Sequence, residues 1–382
     1  MSLTQQIAKN TSIQLTGKTI STLLGLAAVA IMTRSLGVEK FGWYITVTGF
    51  VQFFGLISDF GFTIITANML AEPRFDKNKL FNTLFTWRFI TSATTQTIAP
   101  IIILFFPYPT PIKIATFIIS ISFLTTGLNQ VYLGYYQTQL KIIIQTIGEI
   151  IGRLTLVIGL VLMALNKTGF LPMMAIITIA AIVYTFYLWL KGPKIKFAID
   201  KEISSALFKK IWPLAITIMF NALYLQGDRL LLPLYTSQTN VGLYGAAYRI
   251  LDIVTMNAFL IIGIMLPLVT YAWSRQQTEE FKQRYQLSFD LMMLTILPMI
   301  AGIIALAKPI MGLIAGENFL SADRILQILS IAIFGICFGM TFGNLATAIG
   351  RQRQAMWVTI SDAIISVILY LIFIPRYGIW GA

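Results

Sequence analysis

Apolar residues in this chain fall in long unbroken runs rather than in alternation with polar ones. Segments 89–112, 114–140 and 325–350 contain no Asp, Glu, Lys or Arg, and each exceeds the roughly 20 residues that an α-helix needs to cross a bilayer. Strands of an outer-membrane barrel would show runs of about ten residues with strict alternation, so the pattern predicts helices. Hydrophobic spans are read near 12–33, 41–69, 80–106, 112–135, 142–165, 169–190, 212–234, 241–273, 286–307, 322–348 and 354–375. They predict about eleven spans and an all-α, polytopic membrane fold.

Composition narrows the picture. Of 382 residues, 57% are hydrophobic and 11% charged, against roughly 25% charged in soluble domains, which excludes a soluble protein. Histidine is absent and Cys337 is the only cysteine. An internal disulfide, a zinc cluster and a His-based catalytic dyad are thereby excluded, and we expect no metal, no cofactor and no enzyme activity. The stretch Gly335 to Gly350 lacks a phosphate-loop pattern and reads as close helix packing. A net charge of +13 could suggest nucleic acid. Assigning loops alternately, however, puts most loop lysines and arginines on the side of the N-terminus, which the positive-inside rule places in the cytoplasm. We expect no nucleic-acid partner. Lys9 and Lys18 precede no cleavage site with small residues, so the first span is read as retained.

One connection differs from the rest. Lys191 to Lys210 carries six lysines with Asp200 and Glu202, while Ile199, Ile203, Leu207 and Ile211 recur at helical spacing. We read 197–211 as an amphipathic linker helix on the inner membrane surface. It separates an N-terminal lobe, 1–196, of about six helices from a C-terminal lobe, 212–382, of about five. Phe41-Gly42-Trp43-Tyr44 recurs as Val241-Gly242-Leu243-Tyr244, and segment 137–161, holding Glu149, matches 349–373, holding Asp362. Two copies in the same order predict pseudo-repeated six-helix lobes about an axis along the membrane normal. With only five spans visible in the second, we expect the last helix or helices to be missing.

Several segments resemble a known family. Gln226-Gly227-Asp228-Arg229-Leu230-Leu231-Leu232, then Val241-Gly242-Leu243-Tyr244-Gly245-Ala246-Ala247-Tyr248-Arg249-Ile250, are similar to the seventh and eighth helices of Wzx-type polysaccharide flippases. Thr33 to Gly37, Phe41 to Tyr44, Ser58 to Phe62, Ile325 to Leu329 and Ile374 to Ala382 agree in order and spacing. The resemblance implies the polysaccharide transporter branch of the multidrug, oligosaccharidyl-lipid and polysaccharide flippase superfamily. It further implies movement of a polyprenyl-diphosphate-linked oligosaccharide from the cytoplasmic to the outer leaflet by alternating access, in a bacterial or archaeal cytoplasmic membrane. Membrane lipid and other polysaccharide-assembly membrane proteins are the implied partners. Two alternatives stand beside it: an ion-coupled multidrug antiporter of the same superfamily and a membrane-embedded glycan polymerase or transferase. The latter usually needs a large extramembrane loop, and the longest polar connection here is short.

Charges inside spans are costly and usually face a cavity or a partner. Lys18, Arg88, Arg153, Arg229 and Arg249 are the candidate cargo-binding residues, because guanidinium and ammonium groups hold phosphate oxygens. Asp59, Glu149, Asp228, Asp252 and Asp362 are the candidates for ion coupling. Glu149 with Arg153, and Arg249 with Asp252, can pair on one helix face. Lys18, Arg88, Asp59 and Asp362 have no partner nearby in sequence. For each a structural role competes: snorkelling for Lys18, and serving a helix break before Phe60-Gly61 for Asp59.

Overall fold

A computed structural model of the chain describes residues 3–72 and 74–382, with side chains from Asn10 onward except at positions 11, 73, 213, 257, 347 and 352. It contains eleven α-helices and no strand among the described residues: α1 (Leu3–Asp59), α2 (Phe62–Ala71), α3 (Lys77–Ile102), α4 (Thr110–Thr138), α5 (Ile142–Leu165), α6 (Phe170–Lys191), α7 (Lys201–Tyr235), α8 (Gln238–Ser274), α9 (Thr278–Ile314), α10 (Asp323–Ala348) and α11 (Gln352–Tyr377). Nine helical stretches among the described residues are long and apolar enough to cross a membrane. The two segments of α7, bent by 45° between Trp212 and Leu214, make a tenth. The first stretch, Ser12–Ala71, holds two of the runs read from the sequence. Lys18 and Tyr44 line one cavity, yet 26 residues of straight helix would part them by about 39 Å, so α1 folds back on itself. It does so at Gly37, whose φ of 70° and ψ of 178° suit glycine alone. The all-helical, multi-pass membrane architecture expected from the apolar runs is what the chain adopts.

The two halves meet through backbone. A Cβ added to Gly42 of α1 would lie 1.8 Å from the Gln238 carbonyl oxygen, and one added to Gly242 of α8 would lie 2.1 Å from the Val38 oxygen. Each would also lie 3.1 Å from the other glycine's nitrogen. The two copies of the repeated tetrapeptide therefore pack on one another, reciprocally, with no side chain between the glycines. Around this point Thr46 donates to Gln238 Oε1 (2.8 Å), and Phe41 meets Phe319 edge-on at 5.7 Å. Arg34 donates to the Leu313 and Ile314 carbonyls at 2.6 and 3.1 Å, satisfying groups that the end of α9 leaves without helical partners. An apolar core runs on from Phe41 and Ile45 into Val241, Tyr244, Ala247, Leu326 and Cys337.

The charged connection is built differently from the expectation. Residues between α6 and α7 are extended, and α3 side chains accept their N–H groups: Lys196 to Asn82 Oδ1 (3.0 Å), Ala198 to Thr86 Oγ1 (3.1 Å) and Asp200 to Thr83 Oγ1 (3.4 Å). Asp200 then accepts from the amides of Glu202 and Ile203, an N-cap, so the helix starts at Lys201 and leaves Ile199 exposed before it. Ile203, Leu207 and Ile211 are buried against Leu80, Leu84, Val131 and Leu188. The face formed by Ile203, Leu207 and Ile211 thus packs on protein, while Phe208 and Trp212 stay exposed.

Gly263 of α8 has open space where a Cβ would go. We therefore expect Gly42→Ala and Gly242→Ala each to destabilise the detergent-solubilised protein, by about 1–3 kcal/mol of overpacking, while Gly263→Ala is neutral or slightly stabilising. Thermal unfolding of the three variants checks this; equal behaviour would show that the backbone contact is not needed.

Candidate functional site

Helical spacing sets the polar face of α5. Gln145, Glu149, Arg153 and Leu156 follow one another at the three- and four-residue steps that stack side chains on one face. Gly152, three after Glu149 and four before Leu156, shares that face, and all five line a cavity of about 450 Å3 between α1, α4, α5 and α6. Lys18, Glu149 and Arg153 also line an adjoining cavity of about 290 Å3, whose other wall is Tyr44 of α1 and Arg249 and Asp252 of α8. Five of the ten charges singled out in the sequence, Lys18, Glu149, Arg153, Arg249 and Asp252, thus converge on one polar space between the two halves. Gly25 of α1 stands opposite Arg153, where an added Cβ would be 3.7 Å from a guanidinium nitrogen.

Within this space the charges divide into held and free groups. Among the described residues, the side chains of Lys18, Glu149 and Arg153 form no hydrogen bond or ion pair, although Glu149 and Arg153 share a helix face as expected. Arg249 and Asp252 are 3.7 Å apart. Arg249 also donates to the Tyr44 hydroxyl at 3.1 Å, which ties α8 to α1. Asp252 is 3.5 Å from Arg229 of α7, whose guanidinium lies 3.8 Å from the centre of the Tyr248 ring. Asp228 takes a 2.6 Å hydrogen bond from the Tyr244 hydroxyl. The adjacent Asp228 and Arg229 cannot pair along their helix, and both find partners on α8. Both are deeply buried, at 4% and 8% exposure.

Arg88 and Asp59 lie elsewhere. Arg88 is 4% exposed and does not line the cavity described above. Its Nη2 is 2.9 Å from Asp59 Oδ1, while Nε and Nη1 donate to the Gly127 and Ser58 carbonyls at 3.0 and 3.1 Å. Two of the four charges without a partner nearby in sequence are each other's partner, across α1 and α3. Each nitrogen of the guanidinium makes a contact within the protein, and its burial keeps it away from the cavity. Asp59 also accepts from Thr63 beyond the break, where Phe60 and Gly61 both take positive φ; its local structural role and its ion pair coexist. Asp362 is exposed on α11, apart from the cavity.

Charge alone did not point to the neutral members of the site. Tyr44 sits at the junction of the halves. Ser122, Thr126, Asn129 and Gln130 of α4 line the larger cavity; their helical spacing on one face of an otherwise apolar span is the signal that would have found them.

The chain matches the family described as "Polysaccharide biosynthesis protein" over residues 31–324. A curated relative, the probable low-salt glycan biosynthesis flippase Agl15 of Haloferax volcanii, is 24% identical over 155 residues, 41% of this chain and 33% of that protein. The chain thus matches about a third of the length of that relative. Among solved structures, an inward-facing multidrug resistance transporter of the MATE family in the MOP superfamily superposes with a TM-score of 0.76 at 12% identity, covering 94% of this chain and 89% of the other. The lipid II flippase MurJ, in an inward closed conformation, gives 0.73 at 16% identity, covering 96% and 82%. These superpositions show that the fold is the one shared by those transporters. Matched over most of its length, the chain is a member of the polysaccharide biosynthesis protein family.

Proposed function

We propose that this multi-pass membrane protein is a flippase that carries a polyprenyl-diphosphate-linked oligosaccharide from the cytoplasmic to the outer leaflet by alternating access, without covalent chemistry on the cargo. The observation that carries this reading is the charge of the cavity, where Lys18, Arg153 and Arg249 outnumber Glu149 and Asp252. A diphosphate and its glycan cannot cross hydrocarbon unsheltered, whereas the lipid tail never needs to leave it. Lys18 and Arg153, whose side chains form no hydrogen bond or ion pair among the described residues, supply charge-assisted donors to the diphosphate, and Arg249 joins them from the other half. Glu149 and Asp252 lie among these cations and compete with the cargo for them, which gives release a route.

The Gly42–Gly242 contact closes one end of the space between the halves. Counting loops from a cytoplasmic N-terminus puts that end on the outer side, so the cavity in this state is the one that loads from the cytoplasmic leaflet. Rocking the halves about the cavity would then expose it outward. We assign the Arg88–Asp59 pair and the Asp228–Tyr244 bond to holding helices rather than to cargo or ions, and give Asp362 no role in the cavity. The lipid-linked glycan and membrane lipid are the partners, in a bacterial or archaeal cytoplasmic membrane.

The two carboxylates in the cavity favour one second reading, an ion-coupled antiporter for organic cations, which the fold also serves. Transfer of a fluorescent polyprenyl-diphosphate oligosaccharide between proteoliposome leaflets separates the two. We expect protein-dependent transfer, reduced roughly tenfold by Lys18→Ala or Arg153→Ala, in line with a lost hydrogen bond to a charged group. Undiminished transfer by the double variant would remove the cargo site, and cation uptake without glycan transfer would favour the antiporter. For Asp59→Ala, which strands a buried guanidinium, we expect a loss of about 3–5 kcal/mol, largely recovered in Asp59→Leu/Arg88→Met. If Asp59→Ala keeps full thermal stability but loses transport, the assignment of this pair to structure is wrong.

A further inference from the structure

The polar space between the halves is not uniform. On the side of α8 it is charged, but the walls that α4 and α6 give to the larger cavity bear no charge: they present Ser122, Thr126, Asn129, Gln130 and Tyr184, with Gln145 of α5 beside them. Two of these side chains have an oxygen with no partner among the described residues, although Gln145 also bonds Tyr184. Asn129, 6% exposed, has a side-chain carbonyl oxygen with no hydrogen-bond partner, and so does the Oε1 atom of Gln145. Buried amide groups are normally satisfied, and leaving one empty costs stability. Ser122 and Thr126 donate to the Ile119 and Ser122 carbonyls of their own helix, so what their oxygens still offer to the cavity is acceptor capacity. The faces of α4 and α6, with Gln145 beside them, are therefore a set of hydrogen-bond acceptors and amides with no ionic group among the described residues, and they adjoin Lys18, Glu149 and Arg153, which line the same cavity.

From this we infer that the α4–α5–α6 wall is a sugar subsite, which takes the hydroxyl-bearing residues next to the diphosphate while Lys18 and Arg153 hold the diphosphate itself. The inference rests on the flippase reading given above. A sugar hydroxyl both donates and accepts, so it satisfies the Asn129 and Gln145 amides in either orientation of the amide. A fully ionised phosphate, which offers acceptors only, fits the acceptor-rich part of this wall poorly. Its neutral polarity matches a glycan of no net charge at this position.

The test is titration calorimetry on the full chain in nanodiscs with two probes, farnesyl diphosphate and the same diphosphate carrying a neutral disaccharide. Wild-type protein is expected to bind the disaccharide form at least tenfold more tightly. Asn129→Ala and Gln145→Ala should each remove roughly three- to tenfold of that gain, as for a lost hydrogen bond, and leave the affinity for bare farnesyl diphosphate unchanged, which also shows that the variants fold. Lys18→Ala should weaken both probes alike. Equal wild-type affinity for the two probes would overturn the sugar subsite and leave the diphosphate site standing. Wild-type protein that binds neither probe would overturn the flippase reading and the subsite with it.

Discussion

The structure depends on how closely two backbones can approach. In lipid, helices gain little from apolar contact with one another, because the surrounding tails are as apolar as the side chains, and small residues at crossing points take over the work of association. Gly42 and Gly242 do this at the junction of the halves, where any side chain would collide with a carbonyl of the opposite helix. Everything near the site follows from that approach. It brings Tyr44 within reach of Arg249, sets Thr46 against Gln238, and makes α1 and α8 the walls that α5 completes into a cavity.

A second constraint sorts the charges. In low dielectric an ion must be paired, hydrogen-bonded or open to a watery space, and the chain uses these options at different places. Arg88 with Asp59 and Arg229 with Asp252 are held in pairs, and Asp228 by a tyrosine. Lys18, Glu149 and Arg153 instead border the cavity with no ion pair among the described residues. A buried guanidinium held by a carboxylate and two carbonyls, such as Arg88, orders helices, while one that borders a cavity, such as Arg153, faces open space. The difference lies in the surroundings and not in the residue type.

The fold was legible in the sequence because hydrocarbon imposes length and continuity on every span, and those survive without any knowledge of contacts. The fold-back at Gly37 was legible as the gap between the two runs either side of it. The amphipathic start of α7 was found from the spacing of Ile203, Leu207 and Ile211, but Ile199 was drawn into it because spacing cannot show that Asp200 caps the first turn. The site was half legible. In-span charge led to Lys18, Arg153 and Arg249, but pairing is a property of three dimensions, so Arg88 looked as available as they did. Asn129 and Gln145 escaped because a neutral amide in an apolar run carries no comparable signal until its neighbours are known.

The joint between the halves lies inside a helix. The segment before α7 is strapped to α3 through backbone amides, the start of α7 is joined to residues 72–74 by the Lys210–Glu72 and Arg74–Glu202 pairs, and one face of its first three turns, Ile203, Leu207 and Ile211, is buried in the N-terminal half. Beyond the 45° bend the same helix packs along α11 and α1 and reaches α8. The connection is a packed helix and not a slack tether, so any turning of one half against the other would have to pass through the bend between Trp212 and Leu214, and the angle there would gauge it.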